Sequence, residues 1–393
     1  MTNREAHERL RQAVDAMSGD LFAISKRMYD EPELGHAEVK SSRLLQDFLR
    51  GHGVAVEAPV AGMDTAFRGT VAGKADAPVI AVMAEFDALP EVGHGCGHNI
   101  IGTAACGAAA ALATLAADLP GTVQVLGSPA EEGGVENAGG KVLMVRAGLF
   151  NKVDAAIMIH PSSHNMVETS STAREALEIS FYGKPAHAAG APHEGINALE
   201  ACILTFNGIN SLRQHVKPDV RIHGIITKGG VAPNIVPEFA QARVYVRAAD
   251  RRYLAELVER VKHCAEGAAL ATGAKVTFRN FANTYENMRT NRVIAEAMAA
   301  NFRELGYAVE DGQGGGAGST DMGNVSHVVP AVHAYIAICH PSIPGHSREF
   351  AEATVAEGGR AGLLASAKIL ACTAYDLLTQ PDLIRRAWEE FDR

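Results

Sequence analysis

Cys96 and His98 stand two residues apart in EVGHGCGHNI, residues 91–100. A thiolate and an imidazole on one short turn can aim at a single point. Both suit zinc and other first-row divalent metals. Gly93, Gly95 and Gly97 let the backbone wrap tightly around that point. Alone, the pair reads equally well as a glycine turn with a buried thiol and a capping imidazole. A second stretch, SPAEEGG, puts Glu131 and Glu132 side by side after an apolar run and a proline. Successive side chains of an extended chain point opposite ways. One carboxylate can therefore hold a metal while its neighbour serves a water as general base; in other settings such a pair is a solvated acidic loop. His160 closes the apolar run AAIMIH. His346 sits in PSIPGHSREF, with His340 one strand end earlier as its rival. His187 lies in GKPAHAAGAP. His94 and His164 fit supporting or structural roles.

The elements that must position these residues follow from periodicity. Apolar runs at 77–90, 121–134 and 153–163 read as buried parallel strands, and 100–117 as a helix of small residues. Such alternation implies an α/β layer with a mixed, mostly parallel sheet and helices on both faces. Ligands sit at the carboxyl ends of the strands in such sheets. The stretches 87–98, 128–134, 160–164 and 340–346 all follow strand-like runs. The middle of the chain differs: strands at 176–183, 221–230, 239–249 and 274–281 alternate with helices at 194–216 and 251–272. That order is the split β-α-β-β-α-β, ferredoxin-like motif. The expected organisation is 1–172, an inserted α+β domain at 173–282, and a return to the first domain at 283–393. The glycine-rich patch 312–326 lacks any strand–GxGxxG–helix or GxxxxGK[ST] context and reads as a close-approach loop.

With 393 residues, 47% hydrophobic and 21% charged, the chain can bury a substantial core. A net charge of −9 argues against nucleic acid and offers no basic membrane-binding face. No long apolar span stands out, and the polar start MTNREAHERLRQAVDAM reads as an amphipathic helix rather than a signal peptide. Six scattered cysteines point to a reduced, cytoplasmic protein. No G-x-S-x-G elbow is visible, which disfavours a Ser-His-Asp hydrolase.

Taken together, DALP…GHGCGHN, SPAEEGG, IHP, GKPAHAAGAPHEGINAL, APNIVP, GSTDMGNVS and PGHSREF resemble the aminoacylase/amidohydrolase branch of the dinuclear metallopeptidases, peptidase family M20. The subgroup most resembled holds aminobenzoyl-glutamate hydrolase subunits and aminoacylase-1-like dipeptidases. The resemblance spans about 85 to 350, with seven motifs in order. It implies a zinc-peptidase-like catalytic domain and an inserted lid and dimerisation domain. It implies Cys96, His98, Glu132, His160 and His346 as metal ligands, Glu131 as general base, and Asp87 as a carboxylate supporting the metal site. His187 matches the inserted-domain histidine that reaches the partner subunit's site and stabilises the oxyanion; Asn234 matches a substrate-contacting residue.

The expectation is therefore a homodimeric hydrolase with two divalent ions per chain, zinc or manganese. It would cleave the amide bond of a small N-acyl amino acid, dipeptide or aminobenzoyl-glutamate-like substrate. Two alternatives stay open. The same site can act on a non-peptide C–N bond, as a deaminase or ureidohydrolase does, although the nucleoside-deaminase signature is absent. Or the chain is a non-catalytic subunit of family-like fold. Arg174, Arg221 and Arg247 are candidates for a substrate carboxylate, and each fits a strand-end or surface charge as well.

Overall fold

The computed structural model describes residues 2–310 and 318–392, together with the backbone of 314–315. Most of the first half of the glycine-rich patch at 312–326 thus lies outside the described residues. The chain divides into two compact units. The first takes the chain up to Ser170, then Met288–Gly315, then Asp321 onward; the second is Ser171–Asn287 with a short later piece containing Gly318, Ser319 and Thr320.

The strands are, in chain order, β1 (Ala55–Glu57), β2 (Phe67–Val71), β3 (Val79–Glu85), β4 (Thr122–Ser128), β5 (Ala155–Ser162), β6 (Thr169–Ser170), β7 (Ala173–Tyr182), β8 (Arg221–Lys228), β9 (Phe239–Ala248), β10 (Lys275–Asn280), β11 (Gly314–Gly315) and β12 (Ala331–Ala337). The sheet of the first unit runs β1-β2-β4-β3-β5-β12. β4, β3, β5 and β12 are mutually parallel, and β1 and β2 add an antiparallel edge. β3 is buried along its whole length and feeds two cores. Ile80, Val82 and Ala84 pack with helices Asn3–Ala16, His98–Ala113 and Glu357–Thr379, whereas Val79, Ala81 and Met83 join Met144, Phe150, Met322 and Val325. A strand apolar on both faces requires cover on both, hence helices on either side of the sheet. Helix His98–Ala113 is buried almost throughout, since alanine and glycine let its backbone lie close to β3. Helix Glu357–Thr379 is long and apolar enough to cross a membrane by length and composition. It is a core helix here, with 83% of its apolar window buried.

A buried polar cluster secures the N-terminal helix. His7 Nε2 lies 3.0 Å from Asp376 Oδ1, which also accepts from Asn3 Nδ2 at 2.7 Å; Asn301 Nδ2 donates to Asp376 Oδ2 at 3.0 Å. Burial opposes charge on His7, but Asp376 and Glu304 outweigh it and raise its pKa above the ordinary 6.5. Burial likewise opposes ionisation of Asp376, and bonds from His7 and Asn301 reverse it, so its pKa falls below 3.8. The histidine contribution is complete below about pH 6.5 and is lost as pH rises through the raised value. The aspartate contribution is complete above about pH 4 and is lost as pH falls through the lowered one. His7→Gln is therefore expected to destabilise the fold by about 1–3 kcal/mol at pH 6. The penalty should shrink by pH 9, as read by urea unfolding at the two pH values. An equal loss at both would contradict the charged pair.

The second unit folds β7, helix Ala198–Leu212, β8, β9, helix Arg251–Thr272, β10 into an antiparallel sheet ordered β10-β7-β9-β8. Leu177, Ile179 and Phe181 of β7 pack against Ala201, Leu254 and Val261 of the helices. Asn197 and Asp250 cap the two helices through their side chains. This is the ferredoxin-like arrangement. The unit runs past 282 to Asn287 because Arg174 and Tyr285 exchange backbone hydrogen bonds of 2.9 and 3.0 Å. It includes Gly318 because that carbonyl accepts from the Thr172 amide at 2.9 Å.

Candidate metal centre

The parallel strands deliver their carboxyl ends to one edge of the first unit's sheet. Asp87 follows β3, Glu131 and Glu132 follow β4, His160 is near the end of β5, and His346 lies beyond β12. His98 opens the helix that follows β3. Its turn depends on Gly97, whose φ is +82°, and a Cβ there would stand 2.3 Å from Pro161 Cγ. Ala130 (φ 54°) and His346 (φ 61°) also hold left-handed backbone, an uncommon state for non-glycine residues that clusters at functional sites. The amide of His346 donates to the Gly95 carbonyl at 2.8 Å, tying together the two loops that carry Cys96 and His346.

Three groups of ligand atoms each converge within 4.8 Å: Cys96, His98 and His160; Cys96, Glu132 and His346; and His98, Glu131 and Glu132. Cys96 Sγ lies 3.4 Å from both His160 Nε2 and His346 Nε2. It is common to the first two groups. His98 Nε2 is 3.9 Å from Glu131 Oε2 and 4.0 Å from Glu132 Oε1. The imidazoles are oriented from behind. His98 Nδ1 donates to Asp87 Oδ1 at 2.9 Å, and His160 Nδ1 donates to the Pro161 carbonyl at 2.7 Å, so each turns Nε2 inward. Asp87 also accepts from the Glu132 amide at 2.9 Å. Such outer partners set ligand tautomer and direction.

The electrostatics of the protein groups call for positive charge. Burial, then Glu132, push the Cys96 thiol well above its ordinary value. Burial, then Glu85 and Glu132, raise Glu131 well above the carboxylate range. Burial, then His333, hold His160 down at about 3, which keeps its imidazole neutral. Burial opposes charge on His98, but Asp87, Cys96 and Glu85 overturn it and raise its pKa well above 6.5. His98 Nε2 and Glu132 Oε1 are buried with no hydrogen-bond partner. Buried polar atoms are ordinarily satisfied, and divalent cations satisfy both while allowing the thiol to ionise. The donor set of thiol, imidazoles and carboxylates fits first-row divalent ions.

The structure thus brings Asp87, Cys96, His98, Glu131, Glu132, His160 and His346 together. His340 instead bonds Ser342, and His164 bonds Glu310, both at 2.8 Å. His94 is buried, its pKa held down to about 3 by burial and then His98. His187 and Asn234 are exposed neighbours in the second unit, where the Ala188 amide donates to the Asn234 carbonyl at 2.9 Å. Arg174 is buried over the Tyr285 ring at 3.7 Å, Arg247 donates to Ser319 Oγ at 3.0 Å, and Arg221 donates to the Pro218 carbonyl at 2.7 Å.

Several supporting residues escape a motif reading. Glu38 is fully buried; it accepts from the Ala130 amide at 2.8 Å and from Thr65 Oγ1 at 3.1 Å. Burial and the Asp87 charge raise its pKa to about 7. His333 and Tyr335 each flank His160 at 5.5 Å between ring centroids. Glu85, Lys141 and Asp321 form a buried charge cluster beside Glu131. Glu38 and Lys141 lie in stretches with no local signal; Glu85 lies in the apolar run 77–90 and Asp321 in GSTDMGNVS, each hidden by more conspicuous neighbours.

Comparison with known proteins shows the family to which the chain is similar. The description "Peptidase family M20/M25/M40" matches residues 81–367. A mouse (Mus musculus) Xaa-Arg dipeptidase is 37% identical, over all of this chain and 92% of its own length. One of the subunits of the p-aminobenzoyl-glutamate hydrolase of Escherichia coli (strain K12) is 29% identical over 98% of this chain and 95% of its own. Among solved structures, a dinuclear metal-binding peptidase of the M20 family from Bacillus subtilis superposes with a TM-score of 0.64 at 21% identity, covering 93% of this chain and 99% of that one.

Proposed function

The chain belongs to peptidase family M20/M25/M40 and is a metal-dependent hydrolase, and from that premise we propose that it cleaves the amide bond of a small N-acyl amino acid, dipeptide or aminobenzoyl-glutamate-like substrate. Dipeptides with a basic C-terminal residue head the candidates, given the 37% identity to an Xaa-Arg dipeptidase. The observation that carries the reading is the pair of ligand groups sharing Cys96, with Glu131 at their edge.

In this reading Cys96, His98, Glu132, His160 and His346 hold two divalent ions. The thiolate favours zinc, whereas the histidine and carboxylate ligands accept manganese equally. Bound ions supply positive charge that lowers the pKa of water toward neutrality and polarises the scissile carbonyl. Glu131 takes the proton of the attacking water and delivers it to the leaving amine. Asp87 keeps His98 in the tautomer that presents Nε2. The second unit serves as lid and dimerisation domain, with His187 of a second copy donating to the developing oxyanion and Asn234 contacting substrate. An edge strand supports the homodimer: in β8, Ile225 is 66% and Ile226 41% exposed, and Val231 beyond it is 91% exposed. Unpaired apolar edges are protected when another strand covers them. All six cysteines are free thiols, which supports a cytoplasmic setting.

The test is metal content per chain, run beside hydrolysis of Xaa-Arg dipeptides, N-acyl amino acids, aminobenzoyl-glutamate and a ureido acid, with and without chelator. About two ions and chelator-sensitive amide cleavage are expected. Two ions with release from the ureido acid alone would transfer the site to a non-peptide C–N bond. No metal after reconstitution would overturn the reading.

A further inference from the structure

Behind the candidate ligands lies a group of charges that water does not reach. Lys141 is 0% exposed, in the opening turn of helix Gly140–Arg146. Its ammonium bonds Glu85 Oε1 and, at 2.6 Å, Asp321 Oδ1. Asp321 Oδ2 also accepts from the Lys141 amide at 2.8 Å, so the residue is held at both ends. Lys141 is the only fully buried lysine among the described residues. Glu85, Glu131 and Asp321, all buried, present carboxylate oxygens within 4.8 Å of one another. The other oxygen of Glu85, Oε2, is buried without a hydrogen-bond partner and lies 3.4 Å from His98 Nε2.

Three buried carboxylates at that spacing form a hard, oxygen-only site of the type that takes Mg²⁺ or Mn²⁺. One of the three is the candidate base. A carboxylate coordinated to a cation there is no longer available to a water. An ammonium is a compact charge with three donors and no coordination sphere to complete. It neutralises the triangle through Glu85 and Asp321 and asks for no ligand from Glu131. Burial works against the charge on Lys141, but Asp321, Glu85 and Glu131 outweigh it and keep the group protonated.

We propose that Lys141 is a positioning residue: its ammonium occupies the cation position of the Glu85–Glu131–Asp321 triangle, excludes a further divalent ion, and so reserves Glu131 for proton transfer. The inference rests on the hydrolase reading above and adds a residue to it that touches neither ligand nor substrate.

The test counts Mn²⁺ bound per chain at saturation in the wild-type protein, K141A and the double variant K141A/D321N. K141A is expected to hold one ion more than wild type. Its kcat should fall at least a hundredfold with KM within about threefold, the signature of a lost proton-transfer group rather than lost substrate binding. K141A/D321N, lacking one carboxylate of the triangle, should not hold the extra ion. A lysine that merely packs would leave the count unchanged in both variants, and an unchanged count in K141A overturns the proposal. Should K141A not fold alone, it is refolded with 1 mM Mn²⁺; recovery of the fold supports replacement of the ammonium by the ion, and failure to fold under that condition overturns it. Because the readout is a difference from wild type, the two claims separate. A wild-type protein that binds no metal defeats the hydrolase reading, whereas a loaded wild type with an unchanged K141A count defeats only this inference.

Discussion

Glu131→Gln abolishes turnover and leaves the metal content of the protein where it was. That is the expected result, and it follows from the division of labour between two adjacent carboxylates. Glu132 belongs to the group with Cys96 and His346, whereas Glu131 meets His98 and Glu132 at the edge of the ligand set and joins Glu85 and Asp321 behind it. Its carboxylate lies beside the ligand groups that share Cys96 but belongs to neither of them, the place of a group that takes a proton and returns it. Glutamine keeps the shape and loses the proton site. General base catalysis contributes about 10²–10⁴-fold, so kcat should fall by at least that factor with KM little changed. Single-turnover rates measured beside metal analysis check it. A Gln variant that keeps near-normal kcat removes Glu131 from the mechanism.

The second large effect concerns Cys96. Its sulfur sits 3.4 Å from Nε2 of both His160 and His346, and it is shared by two of the converging groups. Cys96→Ala should therefore weaken both ions together. The loss should exceed the roughly 10–100-fold typical of an outer-sphere partner, and chelator-free protein should come off a desalting column nearly metal-free and inactive. His346→Ala removes a ligand from one group only, on a side chain that is 60% exposed. It should lower the count by one ion. Equilibrium dialysis of both variants reads the contrast, and a Cys96→Ala protein retaining both ions would refute the shared role.

Much of this was legible in the residues. Alternating strand and helix runs gave the sheet, because strands buried on both faces carry an unbroken apolar signal, as β3 does. Strand ends then pointed to the stretches that carry the candidate ligands, since parallel strands present their carboxyl ends on one side, and the family resemblance picked out the residues within them. The helix Arg251–Thr272 was readable to the residue, with an aspartate cap before it and Gly273 (φ +77°) after it. Lys141 and Glu38 were not legible. Nothing local distinguishes a lysine on a short helix from any solvated lysine. Its meaning comes from Asp321, 180 residues later, and Glu85, 56 residues earlier. Charge networks assembled across such separations have no period and no spacing. The edge of the inserted unit was blurred for a similar reason: Tyr285 belongs to it through a pairing with Arg174 that its own neighbourhood does not announce.

Cys96 and His346 meet at 3.4 Å although 250 residues separate them, and the whole inserted unit lies in that interval. An ion gripped by both closes a chain loop of that length. In the polymer statistics of cross-links, a closure of this size removes on the order of 5 kcal/mol of freedom from the unfolded chain. The centre is then also a reversible staple, doing in a chain of free thiols what a disulfide does in a secreted one. Chelation plays the part of the reductant, releasing the loop that the ion closes without breaking a covalent bond.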